Sequence, residues 1–303
     1  MAYPTRAPVP VSVPSAPLPD RPWSASAIED FLGCPLRYWW RKVQGWQTPS
    51  TVPMVTGRAV HLALEHLLAL PPTERLPDRA EEFLAEAIAS ELAEAGPRIA
   101  EAEVTAGAEA AMAAYWQTES PSSIEVAPDG LERTVEVPLR GLPFLGYIDR
   151  VAVVDTGLRV TDYKTGAPKP RYWWGYWRQQ MLYAAALAAL DQPVAEVELL
   201  YLKQPRAVTR PVYPAAVGRA LAELETAQEQ RATMADANTW EARPGPLCRY
   251  CDFASACPSQ RGRVPEPGTP ASDELLIEAG LTRRHHEPTA GDLLDMLDDE
   301  GRT

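Results

Sequence analysis

The chain has 303 residues, 46% hydrophobic and 23% charged, enough to bury one large core or two smaller ones in an ordinary soluble globular protein. No apolar run reaches the roughly 18 residues of a transmembrane helix, and the Pro-rich start lacks the basic and apolar regions of a signal peptide, so a cytoplasmic chain without membrane contact is expected. The net charge of −12 argues against a nucleic-acid partner until its distribution is read: residues 71–132 carry −11 and residues 264–303 carry −7, which leaves the rest at +6.

Residues 1–22 alternate Pro with small residues, as in VPVSVPSAPLP, and favour an extended, disordered leader. Order is expected from Trp23, where Ser26 and Glu29 have capping-box spacing and Ile28, Phe31 and Leu32 supply a helix's apolar face. Cys34-Pro35 interrupts that helix, and an aromatic-rich one follows over Leu36–Val43 with Tyr38, Trp39 and Trp40. In GRAVHLALEHLLAL, Val60, Leu64, Leu67 and Leu68 repeat at a helical period, and His61 and Glu65 stack as i and i+4 on one face. They are either a solvent-facing pair or, if acids lie nearby, part of an imidazole and carboxylate set suited to Mn²⁺ or Mg²⁺. Residues 78–118 are Ala- and Glu-rich helical scaffold within an insert over 71–130, and Leu131–Leu139 alternates as a half-buried strand.

Pro143–Gly166, PFLGYIDRVAVVDTGLRVTDYKTG, predicts two strands joined by a turn at Asp155, Thr156 and Gly157. Antiparallel pairing about that turn brings Asp149 beside Asp162, and the two-residue strand period puts Asp162 and Lys164 on one face. Two acids and a lysine on rigid strands can hold a divalent cation and a phosphate together. Apolar flanks at Ile148, Val151, Val153, Val154 and Val160 suggest a covered hairpin, where unpaired acids would be costly.

After Gly166 comes a loop and then RYWWGYWRQQMLYAAALAAL. Trp173, Trp174 and Trp177, interleaved with Lys169, Arg171 and Arg178, can stack on unpaired bases or pack under the loop. Gln179 and Tyr183, i and i+4 on the following helix, can reach one phosphate region, or Tyr183 can close a core. Strands are expected over Ala195–Lys203 and Ala207–Tyr213 and an amphipathic helix over Ala215–Ala235. Within residues 244–260, Cys248, Cys251 and Cys257 make CxxC followed after five residues by a third cysteine, and Cys34 is the remaining thiol of four. Such a set would tie the two ends of the chain together around zinc or an iron-sulfur cluster, and spacing does not choose between them. Residues 264–303 are expected to form a Pro-rich, acidic, disordered tail in which Leu293, Leu294 and Leu297 could make a short helix, solvated or docked on a partner.

Taken together, SASAIEDFLGCPLRYWW, GRAVHLALEHLL, GYIDR, TDYKTG, QQMLY and the CxxC-x5-C end resemble, in order, the PD-(D/E)XK nuclease superfamily. The likeness is to its RecB-like iron-sulfur exonucleases, such as the AddB nuclease domain and the CRISPR-adaptation exonucleases. The resemblance implies an α/β (α+β) fold: a central mixed β-sheet flanked by helices, a restriction-endonuclease-like core spanning residues 23–263. It places the family's acids on Asp149 and Asp162, its lysine on Lys164, its histidine ligand on His61 and its QxxxY helix on Gln179 and Tyr183. Asp149, Asp162, His61 and the Tyr163 carbonyl would bind Mg²⁺ or Mn²⁺, and Cys34, Cys248, Cys251 and Cys257 would bind a structural [4Fe-4S] cluster, favoured over zinc. The implied activity is a metal-dependent DNA exonuclease on single strands or ends, in recombination, repair or CRISPR adaptation. A non-catalytic DNA-binding adaptor is the alternative. With no GxxxxGK[ST] run, unwinding would fall to a helicase partner, for which the acidic tail is a candidate contact.

Overall fold

The computed structural model describes residues 7–168 and 173–283. In chain order its elements are β1 (Val9–Ser12), α1 (Ala25–Gly33), α2 (Pro35–Tyr38), β2 (Trp46–Gln47), α3 (Val52–Ala69), α4 (Pro77–Ala95), α5 (Glu101–Thr118), β3 (Glu125–Leu139), β4 (Leu142–Val154), β5 (Gly157–Lys164), α6 (Trp173–Ala188), β6 (Val194–Tyr201), β7 (Arg206–Pro211), α7 (Pro214–Asp236), β8 (Thr239–Ala242), α8 (Pro258–Arg261), α9 (Pro270–Glu278) and β9 (Thr282–Arg283). They fall into two units, one of residues 20–29 and 50–230, the other of residues 1–19, 30–49 and 231–303. Among the described residues no helix is long and apolar enough to cross a membrane.

The first unit is built on a mixed five-stranded sheet in the order β3-β4-β5-β6-β7. Only β5 and β6 run parallel, and α6 is the crossover that such a pair requires. β4 and β5 turn at Asp155-Thr156, with Val154 opposite Gly157, whose φ of 130° suits a residue without Cβ. The register then runs back to Arg150 opposite Thr161, so Asp149 and Asp162 come one step later, as the sequence pattern requires. Tyr163, Leu200 and Leu202 pack into a core formed by α3, α4 and α5. Asp162, one residue earlier on β5, points the other way and meets Gln179 of α6. Helices thus cover both faces where the acids sit.

Gly146 of β4 lies under the Tyr183 ring, and a Cβ there would approach Cε1 to 2.7 Å. Gly146→Ala is expected to displace Tyr183 and cost about 1–3 kcal/mol, measurable as a lower denaturant midpoint.

In the second unit β1 pairs with β8 and β2 with β9. Phe31, Tyr38 and Trp240 interlock, and Trp40 stacks on Phe253 with centroids 5.1 Å apart. The expected helix over Leu36–Val43 begins as α2 and widens into a π-type turn over Trp39–Val43.

Three expectations are corrected. The leader is not disordered throughout, because Val11 and Val13 alternate inward when β8 offers a partner strand, and an edge strand tolerates proline. The N-cap of α1 is Ser24, whose Oγ accepts the Ala27 N–H at 3.2 Å, so Ser26 does not cap; Glu29 pairs instead with Arg178. In the acidic tail, α9 is capped by Thr269 and buries Leu276. Leu293, Leu294 and Leu297 lie outside the described residues.

Candidate active site

Strand pairing and helix spacing bring the expected residues to one place. Asp149 of β4 reaches across to β5, where its Oδ2 accepts the Tyr163 N–H at 2.8 Å. His61 comes in from α3 with Nε2 3.2 Å from the Tyr163 carbonyl oxygen and Nδ1 3.5 Å from Asp149 Oδ2. On the other side Lys164 Nζ lies 2.6 Å from Asp162 Oδ2, while Gln179 Nε2 donates to Asp162 Oδ1 at 3.1 Å and to Tyr183 Oη at 3.1 Å. The two groups are continuous, because Asp149 touches the backbone between Asp162 and Lys164.

A residue absent from the sequence expectations joins them. Glu132 of β3 brings Oε1 to 3.9 Å from His61 Nδ1, and ligand atoms of His61, Glu132 and Asp149 lie within 4.8 Å of one another. Glu132 gets there through a bulge. The β3–β4 register shifts between Val126 and Leu131, Glu132 has φ of 40°, and Gly130 sits where a Cβ would come within 2.5 Å of the Val151 carbonyl oxygen. Bulges re-aim side chains in this way.

Behind the acids, Arg150 is 1% exposed and splints the sheet. Its guanidinium donates to both oxygens of Glu119 at 2.7 and 2.6 Å, to Tyr163 Oη at 3.1 Å and to Thr161 Oγ1 at 3.0 Å. A buried charge held at both terminal nitrogens in this way fixes the strands that carry the site.

Burial, the nearby acids Asp149, Glu65 and Asp162, and the opposing pull of His61 together set the Glu132 carboxyl at about 7. Burial and Asp162 push Asp149 up to about 6, against His61, the Tyr163 N–H and Lys164. Lys164, although burial pulls it down, is held above its ordinary value by Asp162, so it stays an ammonium. Both carboxyls therefore favour the protonated form in the metal-free fold. Their stabilising contribution is full below about pH 4, the unfolded carboxyl value, and is lost as pH rises through about 6 to 7. Glu132→Gln removes one of these penalties. In EDTA at about pH 8 its melting temperature should exceed the parent's by about 2 °C or more, and the gap should close at about pH 4. A variant melting lower at both pH values would contradict the assignment.

The aromatic segment divides. Trp177 is buried beneath the Arg210 guanidinium, and Arg178 is buried between Glu29 and Glu223, so neither is free for a base or a phosphate. Trp174 is 39% exposed, with Nε1 donating to Glu223 at 2.8 Å. Lys169 and Arg171 lie outside the described residues.

The four cysteines all belong to the second unit. Burial pushes the Cys251 thiol up to about 11, with Cys34 and Cys257 adding to the rise and the Phe253 N–H and Arg37 opposing it. Cys257 is raised likewise by burial, Cys34 and Cys248. Cys251 and Cys257 thus feel the charge of neighbouring cysteines, and Cys248 Sγ accepts the Gly245 N–H at 3.3 Å.

Over 152 residues the chain is 32% identical to the Gene 69 protein of Mycobacterium phage D29, covering 47% of this chain and 54% of that protein, so it spans about half the length of the curated relative it matches. Its fold is similar to the crystal structure of a provisionally assigned exonuclease from Eubacterium rectale, with TM-score 0.51, 14% identity, and coverage of 83% of this chain and 91% of that one. At that identity the likeness is one of fold alone. The profile of the PD-(D/E)XK nuclease superfamily matches residues 22–258, and with this span, sheet and acid-lysine site the chain belongs to that superfamily.

Proposed function

We propose that the chain is a Mg²⁺- or Mn²⁺-dependent deoxyribonuclease that hydrolyses phosphodiester bonds from the ends of single-stranded DNA, in recombination, repair or CRISPR adaptation. The observation carrying this reading is the convergence of Asp149, Asp162, Lys164 and His61 on one end of the β4–β5 pair. The donor set fits a hard divalent cation, since imidazole and carboxylate atoms of His61, Glu132 and Asp149 already lie within 4.8 Å of one another.

In this proposal His61, Asp149, Asp162 and the Tyr163 carbonyl hold the cation, with Glu132 as a further ligand. When bound, Mg²⁺ or Mn²⁺ supplies positive charge to the phosphoryl oxygens and lowers the pKa of water. Lys164, kept protonated by Asp162, faces the charge that grows on those oxygens as the P–O bond breaks. Gln179 grips the second oxygen of Asp162 and is itself held by Tyr183, which keeps the carboxylate from rotating. Arg150 acts one layer back by positioning β4 against β5.

We assign Cys34, Cys248, Cys251 and Cys257 to a [4Fe-4S] cluster with a structural role, zinc being the competing occupant. The thiols of Cys251 and Cys257, raised by burial and by neighbouring cysteines, fit a cationic centre that takes them as thiolates. Strand separation would come from a separate helicase.

The test is digestion of 5′- and 3′-end-labelled single-stranded DNA by the full chain with Mn²⁺ or with EDTA. Mononucleotide or short-fragment release from one end, seen only with metal, is the expected result. Intact DNA after prolonged incubation of the metal-loaded protein would overturn it.

A further inference from the structure

Residues 203–222 carry four bases, Lys203, Arg206, Arg210 and Arg219, and no acid, in a chain whose net charge is −12. The fold runs this segment outward from the acids. Across three neighbouring strands Lys164 pairs with Tyr201, and Tyr201 with Arg206. At about 4.8 Å per strand, the Arg206 backbone lies about 10 Å from that of Lys164. Cross-strand partners share a face, and β7 is the last strand of the sheet, with every residue but Val208 exposed. Arg206 and Arg210 therefore extend the row of Lys164 along an open rim.

Contacts with α6 support the shared face. Lys164 Nζ lies 4.6 Å from the centre of the Tyr176 ring, and the Arg210 guanidinium 4.3 Å from that of Trp177. Farther on, the Arg219 guanidinium lies 5.6 Å from the ring of the exposed Trp174. These guanidinium groups rest on rings, where they keep their charge and outward donors. The nearest acid of α7, Glu223, is taken up by Arg178 and by the Trp174 indole N–H.

We propose that this rim, Arg206, Arg210 and Arg219 with Trp174, is the track on which one DNA strand approaches the acids. The inference rests on the nuclease reading and adds to it the path of the substrate. Arginines at intervals along an extended edge match a row of phosphates, and an exposed indole beside them offers a platform for an unpaired base. Arg206 and Arg210 stand about 13 Å apart along the strand. The track therefore holds about four nucleotides of a single chain. A duplex would bury its bases away from Trp174.

The experiment is fluorescence anisotropy of labelled oligo-dT with the full chain in EDTA, which prevents cleavage, over a range of salt. R206Q/R210Q/R219Q should bind at least about tenfold more weakly and lower the slope of log K against log salt by about 2, from three lost phosphate contacts. The charge-matched R79Q/R98Q/R140Q, changed at exposed arginines elsewhere, should bind like the parent. Because Arg210 and Arg219 pack on rings, R206E alone serves as a second variant, and a loss of about threefold or more with an unchanged melting temperature is expected.

Parental affinity and slope in both R206 variants would overturn the track and leave the nuclease reading standing, provided the parent binds and Mn²⁺ still drives cleavage. Equal loss in the control triple would reduce the effect to net charge and also overturn it. Duplex DNA bound as tightly, with the same loss, would overturn the single-strand assignment. A parent that neither binds nor cleaves would remove both readings.

Discussion

Asp162→Asn is expected to lower Mn²⁺-dependent DNA cleavage by about 10³-fold while the protein stays folded. Asp162 has two partners, the Lys164 ammonium at 2.6 Å and the Gln179 amide at 3.1 Å. An asparagine can still accept from Gln179, but it cannot balance the ammonium or donate negative charge to a cation. Lys164 then loses the group that holds its pKa up, so burial pulls it down and the amine drifts toward neutrality. On the proposed mechanism, one substitution thus removes a metal ligand and the cation facing the phosphate. Asp162→Ala also deprives the Gln179 amide of its acceptor and so risks more stability than the asparagine. Comparing the two by melting temperature and by cleavage separates chemistry from fold. Either variant still degrading DNA with Mn²⁺ at the parental rate would place the reaction elsewhere.

Much of this site was legible because its geometry is local. A two-residue turn and a period of two suffice to bring Asp149, Asp162 and Lys164 together, and a spacing of four on a helix suffices for Gln179 and Tyr183. Glu132 was not legible in the same way. From Leu131 onward the strand reads as plain alternation, whereas the carboxylate is aimed by a bulge that depends on the backbone of residues 127–130. Asp129-Gly130 inside a strand pattern was the available signal, since Gly there marks a bulge or a close backbone approach. Arg178 misled for the opposite reason. Beside three tryptophans it looks like a phosphate contact, but its partners Glu29 and Glu223 lie far away in sequence, and only the fold brings them in. The same holds for the leader, where a composition argument counts prolines while β1 needs only Val11 and Val13 on one side and β8 beside it.

Cys251→Ser should cost the chain its fold before it costs any chemistry. The thiols belong to segments at opposite ends of the sequence, Cys34 in residues 30–49 and the other three in residues 231–303, which share one unit. Besides them, the segments of that unit, separated by about 200 residues, are joined by short two-stranded pairs, an aromatic cluster and hydrogen bonds from Arg231, Arg243 and Arg283, although the entropy of closing so long a loop grows only with the logarithm of its length. Metal-thiolate binding in small structural sites contributes about 10–16 kcal/mol of folding free energy, as much as the 5–15 kcal/mol by which whole proteins are stable. On the proposed cluster assignment, losing one thiolate of four should therefore be enough to unfold this unit. Purified without oxygen, the parent should be brown and contain about four iron atoms per chain, and Asp162→Asn should keep both colour and iron. Cys251→Ser should be colourless, prone to aggregation and early to melt. A colourless, zinc-containing parent would transfer the same stabilising role to zinc and end the cluster assignment, whereas a Cys251→Ser chain that melts with the parent would end the structural role itself.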